Sequence, residues 1–339
     1  MTRVMEGFNR NGALVDTDEE DLRRSVELVL ARIRGSDSPI TRIRRRGFGG
    51  STSYPSAIVT VDLANGDSIV IFVKDFAQSR LSQEAAAERR ERELHVYENL
   101  LDGEQLGTAR FYGAHWDDAS SRFWLMLEFV EGELLRDCGF EYWPAAAAWL
   151  GRLHGRFAGR GTRLRGCRFL VRHDADFFVR AAEHALAALS DLSTPLARRL
   201  AAVLARYEPV LAVLNRDPET LVHGSYRKQN VLVGRSSEPI RICPTDWELA
   251  AFGRSAYDLA FVCDDLRSWK LDALFDAYER EVESSGLSAP DREELRHEVE
   301  CFCLQKKINS LGHVRRWPHP FETAAKVITA VEELAGRLA

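Results

Sequence analysis

The hydropathy pattern of this 339-residue chain changes character once, at Gly132, and that change limits the fold more than any single motif does. Before Gly132 come short β-branched and aromatic runs: "PITRIRRR", "SAIVTVDL", "DSIVIFVKDF", "TARFYGAHW" and "RFWLMLEFVEG". Runs of this length and composition predict strands. Between the second and third, Ala64-Asn65-Gly66-Asp67 carries the Asn-Gly step of a tight hairpin. Residues 17–34 predict a leading helix with an acidic first turn, which the helix dipole favours. A second helix is expected over 82–101, "SQEAAAERRERELHVYENLL", with an apolar face of Leu94, Tyr97 and Leu101. After Gly132 the pattern is helical, from "WPAAAAWLGRLHGRF" to the C-terminus. Short apolar runs "TLVHG", "NVLVG" and "IRICPTDWE" interrupt it between 219 and 250. The expectation is an α+β fold: a small β-rich lobe over 1–130, a hinge near 128–133, and a larger helical lobe over 131–339.

Composition excludes several classes. A net charge of −5 argues against a general nucleic-acid binder. The one basic cluster, Arg42, Arg44, Arg45 and Arg46 around Ile43, predicts the solvated face of a strand. No apolar stretch has signal-peptide or membrane-span length, so a cytoplasmic protein without a membrane partner is expected. The six cysteines (Cys138, Cys167, Cys243, Cys263, Cys301 and Cys303) show no zinc spacing and are read as reduced thiols, mostly buried. Arginine outnumbers lysine by 40 to 6, and Lys74 is the only lysine before Lys228. A chain so inclined to Arg keeps a Lys where a guanidinium will not serve, which directs attention to Lys74.

Four features carry potential chemistry. Gly47, Gly49 and Gly50, with Ser51, Thr52 and Ser53, form a turn between strands whose backbone N–H groups can face phosphate oxygens. Lys74 ends the apolar run "IVIFVK", and Glu93 on the following helix is an acid that could neutralise it. The fourth and strongest feature is "HGSYRKQN", residues 223–230, followed sixteen residues after Asn230 by Asp246 in "PTDWE" and then by Asp258 in "YDLA". An amide and a carboxylate at adjacent strand ends suit Mg²⁺, which takes one or two protein ligands beside substrate phosphates. Each has an ordinary alternative: a flexible hairpin, a strand-end lysine, a solvated helix acid, and turn-capping polar residues.

Taken in order and spacing, these segments resemble the aminoglycoside phosphotransferase and choline kinase branch of the protein-kinase-like fold, over roughly residues 35–335. The resemblance implies an ATP-dependent phosphotransferase requiring Mg²⁺. It implies phosphate contacts from Gly47, Gly49, Gly50, Ser51 and Thr52, with Lys74 paired to Glu93. Adenine would be held by backbone groups near Glu128 and Val130 in "LMLEFVEG". "HGSYRKQN" matches the catalytic loop, and Asn230 and Asp246 the metal ligands. His154 in "LGRLHGRF" and Asp258 match structural positions, Asp258 bracing the loop.

One position departs from the family. The third residue of the catalytic loop is normally an Asp that accepts the acceptor's proton; here it is Ser225. A neutral hydroxyl can orient an acceptor but cannot take its proton as a carboxylate does. Arg227 stands where protein kinases carry a lysine facing the transferred group, Lys228 adjoins it, and Glu248 offers a second carboxylate and a substitute base. Loss of a base costs about 10²–10⁴-fold in rate, and positioning with charge neutralisation carries much of this chemistry, so turnover remains compatible with Ser225. Two functions follow: a phosphotransferase acting on a hydroxyl of a small molecule or short peptide, or a pseudokinase that binds nucleotide or a partner protein and acts as a scaffold or allosteric subunit, with a partner enzyme as the candidate it would serve. Asp264, Asp265, Glu298 and Glu300 are candidate contacts for a cationic acceptor, whereas "HVRRWPHPFE" favours an anionic or peptide partner. Sequence leaves that choice open.

Overall fold

Strand β1 (Ile40–Gly47) exposes every residue except Ile40 and Ile43, whereas β2 (Ser56–Leu63) is buried along nearly its whole length. The contrast follows from position: in the computed structural model these strands belong to a five-stranded sheet ordered β1-β2-β3-β5-β4, with β1 at its edge. The arginines of β1 thus line an edge strand, where charge discourages pairing with another chain. The structure describes residues 16–34, 39–50, 54–77, 86–235, 239–264, 266 and 268–338.

Strands β3 (Ser68–Asp75), β4 (Phe111–Asp117) and β5 (Arg122–Glu128) complete the sheet, all pairs antiparallel. The β2–β3 turn uses Gly66 at φ +88°, and the Asn65 side chain accepts the Asp67 N–H at 3.1 Å. Helix α1 (Asp16–Arg34) lays Leu22, Val26, Val29 and Leu30 on the sheet against Val59, Val61, Ile71, Val73, Trp124 and Met126. Arg122 of β5 pairs with Asp21 of α1, tying helix to sheet.

By contacts the chain divides into two units, Met1–Glu84 with Arg110–Phe129, and Ala85–Ala109 with Val130–Ala339. Helix α2 (Ala86–His95), which runs on as a wider π-helical turn over Val96–Leu101, groups with the second unit rather than with the lobe over 1–130 to which its sequence position assigns it. Long-range bonds explain this. Arg92 donates to the Phe169 carbonyl at 2.8 Å and to that of Glu248, while Arg241 donates to the Gly107 and Thr108 carbonyls.

The second unit holds two small sheets among helices. Strands β6 (Glu133–Leu134), β9 (Val231–Gly234) and β10 (Arg241–Pro244) form one; β7 (Val171–Arg172), β8 (Thr220–Val222) and β11 (Ala251–Gly253) form the other. The helices are α3 (Trp143–Phe157), α4 (Gly161–Gly166), α5 (Ala175–Leu192), α6 (Thr194–Leu204), α7 (Glu208–Leu214), α8 (Ser255–Cys263), α9 (Ser268–Ser284), α10 (Arg292–Leu311) and α11 (Pro320–Leu338). Asp174 and Asp291 cap α5 and α10 by accepting the backbone N–H groups of Phe177 and Glu294. The run "TPLARRLAAVLARYEPVLAVL" divides into α6 and α7 around Pro209, which cannot donate within a helix interior but suits a first turn. Helix α8 has no polar stripe and is buried almost throughout. All six cysteines are free thiols, four of them buried. No described helix is long and apolar enough to cross a membrane.

Candidate active site

In the first unit, the glycine-rich turn is closed by the Phe48 N–H donating to the Ser56 carbonyl at 2.8 Å. A Cβ at Gly47 or Gly49 would meet nothing within 4 Å, so packing inside the chain does not require glycine there. Ser51 and Thr52 lie outside the described residues. Lys74 sits opposite Ser56 on β2 and Leu125 on β5, with only 5% of its surface exposed. Its Nζ lies 5.3 Å from the Tyr54 ring centroid and 5.1 Å from that of Phe76, within cation–π range of both. Lys74 is therefore turned into an aromatic niche rather than to bulk solvent. Glu128 is engaged within the sheet: its N–H donates to the Arg110 carbonyl and its carboxylate accepts the Arg110 N–H at 3.1 Å.

In the second unit, Glu93 of α2 is 1% exposed and Val130 is half-buried. The loop after β8 is held by two buried side chains. Asp258 of α8, fully buried, accepts the backbone N–H groups of His223 at 2.6 Å and Gly224 at 3.0 Å. His154 of α3 approaches the same carboxylate at 3.5 Å and the Tyr278 hydroxyl at 3.2 Å. His223 donates from Nε2 to the Thr245 carbonyl at 2.9 Å, leaving Nδ1 to accept the Ser225 N–H at 3.3 Å. Burial pushes the His223 pKa down, in keeping with this neutral tautomer. Gly224 has φ +79°, and a Cβ there would lie 1.9 Å from the Leu249 carbonyl oxygen. Beneath the loop Tyr226 stacks on Trp149 and bonds the Ala146 carbonyl, and Trp247 packs against the His223 ring.

Ser225, Asn230 and Thr245, the residue before Asp246, are hydrogen-bonded in series. The Asn230 amide nitrogen donates to the Ser225 carbonyl at 3.1 Å and reaches its hydroxyl at 3.4 Å. The Asn230 carbonyl in turn accepts both the backbone N–H and the hydroxyl of Thr245, which precedes Asp246. Asp246 is half-buried and adopts left-handed backbone angles, φ 62° and ψ 63°, a strain that non-glycine residues bear chiefly at functional sites. With its nitrogen turned to Ser225, Asn230 directs its oxygen the other way. An amide oxygen and a carboxylate fit a hard cation that takes its remaining ligands from phosphates and water. Among the described residues, no cluster of three or more His, Cys, Asp or Glu offers a competing metal site.

Glu248 is placed differently from the role its sequence position suggests. Its carboxylate lies 3.5 Å from Arg89 of α2 and its backbone carbonyl accepts Arg92, so it joins the segment after Asp246 to α2. Arg227 is exposed, with its guanidinium 5.7 Å from the ring of Phe261 on α8. Lys228 is exposed, and its carbonyl accepts the Arg136 N–H. Sequence reasoning missed Tyr54, Phe76, Arg89 and Arg92. No local pattern distinguishes these two arginines from 38 others.

The family is shown by one comparison and the fold by another. The model of the phosphotransferase enzyme family matches residues 63–297. No curated protein sequence matches the chain significantly. Solved structures share the fold at low identity. The GDP and kanamycin complex of APH(2")-IIia has a TM-score of 0.60 at 14% identity, covering 93% of this chain and 99% of its own. A microcompartment-associated aminopropanol kinase has a TM-score of 0.59 at 13% identity, with 94% and 95% covered. Choline kinase from Cryptosporidium parvum has a TM-score of 0.59 at 12% identity, with 95% and 96% covered. With more than half its length matched by the family model, this chain belongs to the phosphotransferase enzyme family.

Proposed function

We propose that the chain transfers the γ-phosphoryl group of ATP to a hydroxyl of a small molecule, with Ser225 orienting the acceptor rather than deprotonating it. The hydrogen bonds joining Ser225 to Asn230, and Asn230 to the Thr245 that precedes Asp246, support this reading, because they hold the proposed acceptor-orienting hydroxyl beside the candidate metal residues. The named neighbours support the substrate classes: one was solved with GDP and kanamycin, and others are a choline kinase and an aminopropanol kinase.

Asp246 and Asn230 would hold Mg²⁺, which supplies charge neutralisation at the phosphates. Lys74 offers a cation to the nucleotide, and Arg227 offers one to the transferred group. The acceptor oxygen bonds to the γ-phosphorus as the bond from that phosphorus to the β–γ bridging oxygen breaks. ADP leaves with the electron pair, and the hydroxyl proton passes to water by way of the transferred phosphoryl oxygens. Loose phosphoryl transfer depends chiefly on positioning and electrostatics, so a serine at this position is compatible with turnover. Glu248, held by Arg89, is a positioning residue in this scheme.

Ser225 itself favours a second reading, a pseudokinase that binds nucleotide for a partner protein. Nucleotide titration with and without Mg²⁺, followed by ADP-release assays with acceptors, separates the two. Mg²⁺-dependent binding and acceptor-dependent ADP release support the enzyme. Binding without release under every acceptor supports the scaffold, and absence of nucleotide binding overturns the enzyme and leaves only a scaffold that works through a partner protein.

A further inference from the structure

We infer that the surface formed by residues 163–172 docks an acidic segment of a partner protein. The inference stands whether or not the candidate active site turns over.

Between Glu141 and Asp174 the chain holds seven arginines and no acid, although its net charge is −5. Their pairing divides them. Arg152 meets Glu281 at 2.9 Å, and Arg156 and Arg160 share Glu104. The other four, Arg163, Arg165, Arg168 and Arg172, pair with no carboxylate among the described residues. Arg163 donates to the Asn99 carbonyl, and Arg172 to those of Arg165 and Cys167. Such bonds hold a guanidinium in place without neutralising it. Nη1 of Arg172 is buried with no hydrogen-bond partner among the described residues. Arg165 and Arg168 are exposed, and their side chains meet no partner there either.

The four belong to one surface, on α4 and the turn that leads into β7. Arg172 grips the backbone of α4 at Arg165. Arg163 and Arg172 both act on the half-buried Cys167 thiol between them, opposing the rise in its pKa that burial causes, and no carboxylate acts with them. Phe169, next to Arg168, lies 5.2 Å from the His95 ring of α2, and Glu91 and Glu98 lie 3.8 and 3.7 Å from that imidazole. With both of those acids counted, the four arginines remain in excess. Arg92 donates to the Phe169 carbonyl and to that of Glu248, so this surface is one side chain away from the segment after Asp246.

Charge and shape select the occupant. A guanidinium fork pairs with a carboxylate through two hydrogen bonds, and arginines strung along 163–172 match successive carboxylates of an extended segment. The net charge of −5 opposes a long phosphate backbone. Single-stranded nucleic acid would also stack its bases on aromatic faces, whereas Phe169 is half-buried against His95. A lipid surface takes apolar residues as well, and no large hydrophobic side chain of 159–172 is exposed.

The test measures binding of the full chain to fluorescein-labelled deca-glutamate by anisotropy, beside a labelled thymidine oligonucleotide of matching charge and vesicles containing phosphatidylserine. The peptide should bind most tightly, and its affinity should fall at least about fivefold between about 50 and about 300 mM NaCl. Arg165→Glu with Arg168→Glu should weaken the peptide at least about tenfold and leave the melting temperature unchanged, because neither side chain has a partner to lose. Should that pair lower the melting temperature, Arg165→Ala with Arg168→Ala carries the test, with a loss of at least about threefold. The same charge reversal at Arg42 and Arg45, exposed on the edge strand β1, should change affinity less than about twofold. Equal losses from the two reversals, no peptide binding at the lower salt, or tighter binding to the oligonucleotide or the vesicles overturns the inference.

Discussion

The Asn230 side-chain nitrogen lies 3.1 Å from the Ser225 carbonyl and 3.4 Å from its hydroxyl, so one amide reaches both the backbone and the side chain of Ser225. Ser225→Ala removes only the longer contact, and a hydrogen bond of this kind contributes about 1 kcal/mol. Turnover should fall by roughly tenfold or less. Asp246→Asn removes the charge assigned to Mg²⁺, and the loss should be on the order of a hundredfold or more. Steady-state ADP release with a Mg²⁺ titration reads both. Equal losses in the two variants would show that Ser225 does more than orient.

Gly224 and Gly66 both have positive φ, +79° and +88°, but only Gly224 faces an obstacle, the Leu249 carbonyl oxygen, which would lie 1.9 Å from a Cβ at that position. Gly66→Ala should cost about 1 kcal/mol, the penalty for left-handed backbone alone. Gly224→Ala adds a clash with backbone and should cost at least about 3 kcal/mol. Thermal melts of the two variants check this, and similar shifts would mean the 222–226 loop adapts freely.

Glu248 and Arg89 should act as a unit. If Glu248 positions the metal segment, Glu248→Gln and Arg89→Ala will slow turnover to similar extents, and the double variant will be little worse than either. A coupling energy of about 1 kcal/mol is expected for partners in direct contact. A drop of about 10²–10⁴-fold in Glu248→Gln alone, with Arg89→Ala near normal, would instead identify Glu248 as the general base.

His173 gives the protein a pH-dependent stability. The ring is buried against Phe177 and Tyr257, and burial lowers its pKa from 6.5 to about 4. Between these values the unfolded chain binds a proton that the folded chain excludes, so stability present above pH 6.5 is lost as pH falls toward 4. The loss is at most about 3 kcal/mol from this group. Among the described residues His173 Nδ1 meets no hydrogen-bond partner, so His173→Phe should leave stability at pH 8 nearly unchanged and flatten the acid limb of the denaturation profile. The remaining slope then reports His223, whose pKa burial also lowers, together with carboxylates such as Asp264 that their lysine or arginine partners hold below the ordinary value. An acid limb unaltered by His173→Phe would place the effect elsewhere.

Several elements were legible because their signals are local. The β-branched runs of β2 and β3 and the Asn65-Gly66 turn between them needed only neighbouring residues, as did α1, α3 and α5. The strands β6, β7 and β11 were not legible: two or three residues carry no period, and they exist only because a partner strand supplies the pairing. The division of "TPLARRLAAVLARYEPVLAVL" at Pro209 was available from proline chemistry yet is hidden by the apolar spacing on either side.

By itself, the sequence determined that Ser225 lies in a polar run between short apolar strands, that Asn230 and Asp246 flank adjacent short strands, and that Lys74 is nearly alone among arginines. Tertiary structure decided what each residue is bonded to. Asp258 reaches the His223 and Gly224 N–H groups across 35 and 34 residues, and Arg89 reaches Glu248 across 159. It also decided that two of the acids suited to a cationic acceptor are taken, Asp264 by Lys306 and Lys307, and Glu298 by Arg254; Asp265 lies outside the described residues. The physical reason is that a charge's availability depends on which partners burial brings within a few ångströms, and hydropathy periods record which face is buried but not whom it meets.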